Sequence, residues 1–170
     1  MPTPSSGPIS LLDIRNELGL SGTISLNDTK VRALLGARNV SQVSMSNAFN
    51  KSLKYTFDPN TYTSAYGNGV QSSVLYLSNY FTSDQLPVGY GFRVRFYINE
   101  GWCTGNYVDA YFTKGYSGGP VTTAACGSKN MIAYGYYDGG NACYATLYYS
   151  GGSTSFPYGR VTMTELELLV

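Results

Sequence analysis

The feature that most constrains this chain is a change in composition near residue 54. All 17 tyrosines of the 170-residue sequence lie from Tyr55 onward, and 16 of the 20 glycines lie there too. Aromatic and β-branched residues favour strands, and glycines between them favour tight turns. The sequence therefore predicts a small N-terminal region over residues 1–54 and a Tyr- and Gly-rich β domain over residues 55–170.

Alternation of apolar and polar residues indicates strands in the second region. In Phe92–Ile98 every second residue is apolar and both arginines lie on the other face, which is typical of a half-buried strand. Asp138-Gly139-Gly140-Asn141 is a hairpin signal between two further runs. The other predicted strands are Ser73–Leu77, Tyr107–Phe112, Met131–Tyr137, Ala142–Tyr149 and Val161–Leu169. About six to eight strands without a long helix predict a mainly β chain with an antiparallel β-sandwich of jelly-roll or immunoglobulin-like type.

The N-terminal region contains a repeated helix-start signal. Ser10 and Asp13 form the pattern of a capping box, Ser25 and Asp28 repeat it, and Ser44–Asn47 is a weaker third copy. In the first two copies an isoleucine precedes the serine, and a glycine follows the predicted helix. Each copy therefore predicts a short, self-capped helix.

Such short helices need a surface to pack on, because helix nucleation is costly and about 50 residues bury little core. We expect the helices to dock on another protein or on further copies of the chain. Packing against the chain's own C-terminal domain is the alternative. The residues expected to form the docking face are Ile9, Leu11, Ile14, Leu18, Ile24, Leu26, Val31 and Leu34.

Three ordered pieces of the N-terminal region form a longer pattern. They are Pro8-Ile9-Ser10-Leu11 with Asp13-Ile14-Arg15 and Glu17-Leu18-Gly19, then Ile24-Ser25-Leu26-Asn27-Asp28 with Val31-Arg32 and Leu34, then Ser44-Met45-Ser46 with Phe49 and Lys51-Ser52. This pattern resembles the N-terminal segment of tailed-bacteriophage virion proteins of the tail, tail-fibre or baseplate type. Asn47-Ala48-Phe49-Asn50 departs from the usual third piece, in which an acid or Asn directly precedes an aromatic residue.

The resemblance implies that residues 1–54 anchor a variable C-terminal domain to a virion assembled in the host bacterial cytoplasm. A tail fibre, spike or baseplate component is the first expectation. A capsid decoration or head-fibre protein and a stand-alone glycan-binding module are the alternatives. The implied partners are other virion proteins and further copies of the chain, since such appendages are commonly homotrimers.

Catalytic chemistry is not expected. The segment Gly115–Val121 looks like the nucleophile loop of chymotrypsin-like proteases, but the sequence has no histidine to take a proton from Ser117. A glycosidase needs two facing carboxylates, and Glu165 and Glu167 share one face of a predicted strand, where they are expected to form a solubilising edge. We therefore predict no enzyme activity and no cofactor.

The cysteines also give no metal site. Cys103, Cys126 and Cys143 are too far apart in sequence to form a C-x-x-C pair of zinc ligands. They are expected to be buried free thiols, because a chain made in the cytoplasm stays in a reducing compartment.

Nucleic-acid binding and membrane insertion are not expected either. The net charge is only +1, which gives no general attraction to anionic partners. No run approaches the roughly 20 apolar residues of a membrane helix, and the N-terminus lacks the pattern of a signal peptide.

Aromatic residues in or beside loops are candidate contacts for host surface glycans and so for host attachment. Exposed flat rings give binding contacts at low entropic cost. The alternative is that the tyrosines fill the core or line subunit contacts. The residues predicted to bind sugar are Trp102, Tyr116, Tyr136 and Tyr137.

Overall fold

The computed structural model describes residues 3–4, 6–39, 42–49, 51–57, 63–66, 69–72, 74–99, 106–118, 121–126, 129–149 and 160–170. Within these residues the chain is mainly β, with two antiparallel sheets and a few short helices. The α-helices are α1 (Leu11–Glu17) and α2 (Thr29–Leu34), and the 3₁₀ helices are Met45–Ala48 and Leu77–Asn79.

The first capping box is present as predicted. The Ser10 hydroxyl accepts a hydrogen bond from the Asp13 amide at 3.3 Å, and the Asp13 carboxylate accepts one from the Ser10 amide at 2.8 Å. These two bonds satisfy donors that the start of a helix leaves unpaired. They explain why α1 begins directly after Ser10.

The second box is incomplete, and this part of the prediction is wrong. The Asp28 carboxylate accepts from the Ser25 amide at 2.8 Å, but the Ser25 hydroxyl accepts from the Asn27 amide at 3.2 Å. A turn therefore occupies the predicted start, and α2 begins at Thr29 with Asp28 as its N-cap. The third copy forms only the 3₁₀ helix Met45–Ala48.

The short helices share a small hydrophobic cluster. Gly19 and Gly36 follow the two α-helices at φ values of 61° and 67°, the left-handed conformation predicted for them. The buried members of the cluster are Ile14, Val31, Leu34, Leu35, Ala37 and Ala48. The partly buried members are Ile9, Leu18, Ile24, Leu26, Val43, Met45 and Leu53.

Within the part of the chain that the structure describes, ten strands form the two sheets. In chain order they are β1 (Lys54–Thr56), β2 (Thr63–Tyr66), β3 (Gly69–Ser72), β4 (Leu75–Tyr76), β5 (Gly91–Asn99), β6 (Asn106–Thr113), β7 (Val121–Cys126), β8 (Lys129–Tyr137), β9 (Ala142–Tyr149) and β10 (Arg160–Leu168). The first sheet has the spatial order β1-β10-β5-β6. The second has the order β2-β3-β9-β8-β7, with β4 also paired to β9.

Most of the predicted strands are present with nearly the predicted bounds. Asp138–Asn141 joins β8 to β9 as the expected hairpin, in which the Asp138 carboxylate accepts from the Gly140 and Asn141 amides at 2.7 and 2.8 Å. Of the predicted strand Ser73–Leu77, only Leu75–Tyr76 forms a strand among the described residues, and Ser73 lies outside them. Strands β1, β2, β3 and β7 were not predicted, because they are short or lack a large alternating apolar residue.

A hydrophobic core lies between the two sheets. Phe92, Val94 and Phe96 of β5 are at most 1% exposed, which confirms the predicted face of this strand. The Phe92 ring contacts the Tyr137 ring of the second sheet edge-on, with centroids 5.1 Å apart. Other buried members of this core are Leu75, Leu77, Phe81, Leu86, Val108, Ala110, Phe112, Cys143, Val161, Leu166 and Leu168.

The N-terminal region packs against the chain's own β region, which was the alternative to docking elsewhere. Buried Gln85 donates a hydrogen bond from Nε2 to the Leu34 carbonyl at 3.0 Å. The Arg38 guanidinium lies over the Tyr90 ring at 4.5 Å and donates to the Leu169 carbonyl at 3.1 Å. The two regions are therefore held together by specific polar contacts.

Candidate functional site

The first candidate surface lies on the N-terminal region. A surface cavity of about 390 Å³ separates this region from the end of the first sheet, and a second cavity of about 490 Å³ lies beside α1. We call the second one the N-terminal apolar groove. Its lining residues are Leu11, Leu12, Arg15, Gly22, Thr23 and Ile24.

The groove presents two leucines of the first helical turn to solvent. Leu11 is 39% exposed and Leu12 is 52% exposed. The capping box fixes the start of α1, and the Arg15 guanidinium donates to the Gly22 carbonyl at 3.4 Å, which ties the following loop to the helix. The two leucines therefore lie on a helix whose start is fixed by its cap, and their exposed parts remain open to a partner.

Only part of the predicted docking face lies at the surface. Ile14, Val31 and Leu34 are each 0% exposed, so they hold the N-terminal cluster together and do not face a partner. Ile9, Leu18 and Leu26 are partly buried against the same cluster. Of the predicted residues, Leu11 and Ile24 line the groove. Leu12 was missed, because it lies off the stripe that includes Ile14 and Leu18.

The second candidate surface is the outer face of the first sheet, which carries a network of charged side chains. Their sign alternates from strand to strand, so every cation lies beside an anion. The members are Lys54 on β1, Glu165 and Glu167 on β10, Arg93 and Arg95 on β5, and Asp109 on β6.

The strongest pairing in this network joins Arg95 and Asp109. Arg95 donates from Nε and Nη2 to the two oxygens of the carboxylate at 2.8 and 2.9 Å, the bidentate geometry that favours this ion pair. These bonds lower the pKa of Asp109 and raise the pKa of Arg95, although burial opposes both shifts. The pair is therefore fully charged around neutral pH.

The acidic residues of β10 complete the network. Arg93 donates to Glu165 at 2.8 Å, and the Lys54 ammonium lies 3.1 Å from the same carboxylate. Arg93 also binds Glu167 and reaches Asp109 at 3.3 Å. The expectation that Glu165 and Glu167 form a solubilising edge is wrong, because β10 lies between β1 and β5 and both carboxylates are paired.

Tyrosine rings lie beside this network on the same face. Tyr107 is 60% exposed and Tyr111 is 55% exposed, both on β6. The Tyr107 ring contacts the Tyr97 ring with centroids 5.1 Å apart, and the Arg95 guanidinium lies 5.9 Å from its centroid. None of these three tyrosines was among the predicted glycan contacts, although their alternation with buried residues on β5 and β6 is a signal for an outer face.

The predicted glycan contacts do not form one set. Tyr116 is 67% exposed, and Tyr136 is 44% exposed and stacks on Tyr144 with centroids 4.7 Å apart. Tyr137 is 0% exposed and belongs to the core, so its assignment as a surface contact is wrong. Trp102 lies outside the described residues.

Cys143 is a buried free thiol, as expected, and burial together with Asp138 raises its pKa to about 12. Cys103 lies outside the described residues. No group of three potential metal ligands is found among the residues that the structure describes. No helix in these ranges is long and apolar enough to cross a membrane.

Comparisons with known proteins add no family to these observations. No protein-family model matches the chain, and neither the curated proteins nor the solved structures give a significant match.

Proposed function

We propose that this protein is a non-enzymatic structural component of a tailed-phage virion. Residues 1–54 attach the protein to the tail, as part of a fibre, spike or baseplate, and the two sheets form a sandwich of jelly-roll or immunoglobulin-like type. Its partners are other virion proteins and further copies of the chain. Attachment to the head, as a decoration or head-fibre protein, is the alternative location.

The observation that carries the proposal is the three-piece N-terminal pattern with its open apolar groove. The pattern resembles the anchoring segments of virion proteins, and Leu11 and Leu12 are exposed in the first piece. Burying one leucine side chain contributes about 1.5–3 kcal/mol. Leu11 and Leu12 are only 39% and 52% exposed, so burying what remains of both contributes about as much as one leucine, which is enough for about a tenfold effect on attachment.

Substitution within the groove tests attachment better than deletion of the region. Deletion would also remove the contacts of Leu34 and Arg38 with the β region. The double variant Leu11→Asp/Leu12→Asp leaves those contacts in place, and acids in the first turn of a helix are favourable. Val88→Asp is the matched control, since Val88 is an apolar residue of the β region that is 72% exposed.

The measurement is the amount of the chain in purified phage particles, heads and tails, determined by mass spectrometry. We expect the wild-type chain in the tail fraction, the double variant reduced by about tenfold or more, and Val88→Asp at the wild-type level. Recovery in heads would support the alternative location. Absence from both fractions, or normal incorporation of the double variant, would overturn the proposed attachment.

A further inference from the structure

The outer face of the first sheet combines exposed rings with a neutral polar surface. Tyr107 and Tyr111 lie four residues apart on β6, so they share a face. Their Cα atoms are about 13 Å apart at the rise of a strand, with Asp109 between them. The β5–β6 pairing runs without interruption from Gly91–Thr113 to Ile98–Asn106, which gives the two rings a regular support.

The polar groups between the rings are held in place before any ligand arrives. Arg95 and Asp109 retain 32% and 26% side-chain exposure, so solvent and ligands can reach them. Their two hydrogen bonds fix the plane of the guanidinium, which has further N–H groups to donate. A tyrosine ring has few torsions to restrict, so binding on this face has a low entropic cost.

The charge balance favours a neutral ligand. The network has three cations and three anions, and the observed ion pairs join them all. A charged ligand would have to compete with these pairs, whereas hydroxyl groups can donate to the carboxylates and accept from the guanidinium. A second protein chain fits less well: tyrosine and arginine are common at protein interfaces, but lysine, glutamate and aspartate are depleted there, and these make up four of the six charged residues of the network.

We propose that this face binds a neutral oligosaccharide chain, with Tyr107 and Tyr111 each packing on a sugar ring and the Arg95–Asp109 pair binding hydroxyls between them. The separation of the rings requires a ligand longer than one sugar unit. A role in host attachment rests on the proposed virion function, but the binding itself does not. The proposed glycan contact therefore lies on β6 and not at Tyr116 or at Tyr136 of β8.

The test uses the full purified chain and a panel of neutral hexasaccharides of glucose, galactose, mannose, xylose and N-acetylglucosamine, measured by isothermal titration calorimetry. We expect at least one hexasaccharide to bind, with little change in Kd on raising the salt concentration. Tyr107→Ala and Tyr111→Ala should each weaken binding by about tenfold. Tyr107→Phe should retain most of the affinity, because the ring remains.

Tyr116→Ala is the matched control, since Tyr116 is at least as exposed but lies away from the sheet face. Binding of no hexasaccharide, an equal loss in Tyr116→Ala, or unchanged binding in Tyr107→Ala/Tyr111→Ala would overturn the proposal. The proposal would also be overturned if sedimentation showed that these substitutions dissociate an oligomer while sugar binding stays unaltered. Thermal melting confirms that each variant is folded. Incorporation of these variants into particles is measured separately, so failure of sugar binding and failure of virion attachment are distinguishable.

Discussion

Two glycines that end helices have similar backbone conformations but differ in the space around them. Gly19 and Gly36 both have positive φ values, but a Cβ at Gly19 would meet nothing within 4 Å. A Cβ at Gly36 would lie 3.1 Å from the Cβ of Asp84, in the segment that packs against α2. The second glycine therefore serves both to end a helix and to allow close approach of the β region.

These two glycines give a matched pair of substitutions. Gly19→Ala should destabilise the chain by about 1–2 kcal/mol, the cost of placing an L residue in the left-handed region. Gly36→Ala should cost more, because Asp84 must also move. Urea unfolding of both variants measures the difference, and equal losses would show that the contact with Asp84 is relieved without cost.

Tyr137 is a buried titratable residue that links the core to the hairpin. Its hydroxyl donates to the Gly140 carbonyl at 3.1 Å, and burial together with Asp138 raises its pKa to about 12. The pKa in the unfolded chain is about 10. The folded state thus holds this proton more tightly, so the associated stability is present below about pH 10 and is lost between about pH 10 and 12.

Tyr137→Phe tests this pH dependence. At pH 7 we expect a loss of about 1 kcal/mol in the free energy of unfolding, because one hydrogen bond is removed. Above pH 10 the variant should lose stability less steeply than the wild type, since the raised pKa is gone. Denaturant unfolding from pH 7 to 11 measures both effects, with exposed Tyr116→Phe as the control. If the variant lost stability above pH 10 as steeply as the wild type, the pH dependence would not come from Tyr137.

At the scale of elements, identical capping patterns produce different structures. Ser10 forms both hydrogen bonds of its box and α1 begins at the next residue. Ser25 forms only one of them, and α2 begins four residues later at Thr29. The Ser25 hydroxyl instead accepts a hydrogen bond from the Asn27 amide, which stabilises a turn.

The two serines should therefore differ when replaced. Ser10→Ala is expected to cost about 1 kcal/mol of stability, as for other N-cap serines. Ser25→Ala should cost clearly less, because no helix amide loses its acceptor. Both free energies of unfolding are measured in urea, and a Ser25→Ala loss as large as that of Ser10→Ala would indicate that the turn is as important as the cap.

At the scale of the whole molecule, the two regions are expected to unfold together. Leu53 belongs to both hydrophobic clusters, and Gln85, Arg38 and Tyr90 bridge the regions by hydrogen bonds and a cation–π contact. A region of short helices with so small a cluster has little independent stability. We therefore expect its order to depend on these contacts with the β region.

Arg38→Ala tests this coupling. Loss of the stacking on Tyr90 and of the hydrogen bond to Leu169 should destabilise the chain by about 1–2 kcal/mol, which lowers the melting temperature by about 2–4 °C per kcal/mol. Arg38→Lys should recover only part of the loss, because an ammonium lacks the planar stacking group. Calorimetry should show one transition in each case. A separate low-temperature transition in the wild type would contradict the coupling.

Local patterns in the sequence were sufficient for many of the elements. The alternation in Phe92–Ile98 predicted β5 and its buried face, and Asp138–Asn141 predicted the hairpin, because both features depend on neighbouring residues. Strand β7, with the sequence Val-Thr-Thr-Ala-Ala-Cys, gives little signal of this kind. This segment is a strand because it pairs with β8, a contact that its local sequence does not predict.

The sequence by itself determined the first capped helix and most of the strands, since capping and periodicity act over a few residues. Only the tertiary structure decided which tyrosines are exposed, because adjacent Tyr136 and Tyr137 face opposite sides and the core receives one of them. It also decided that Glu165 meets Arg93 across 72 residues of chain. Such contacts depend on which strands pair over long distances in the sequence. The network of charged side chains on the outer face of the first sheet is therefore a product of the tertiary structure.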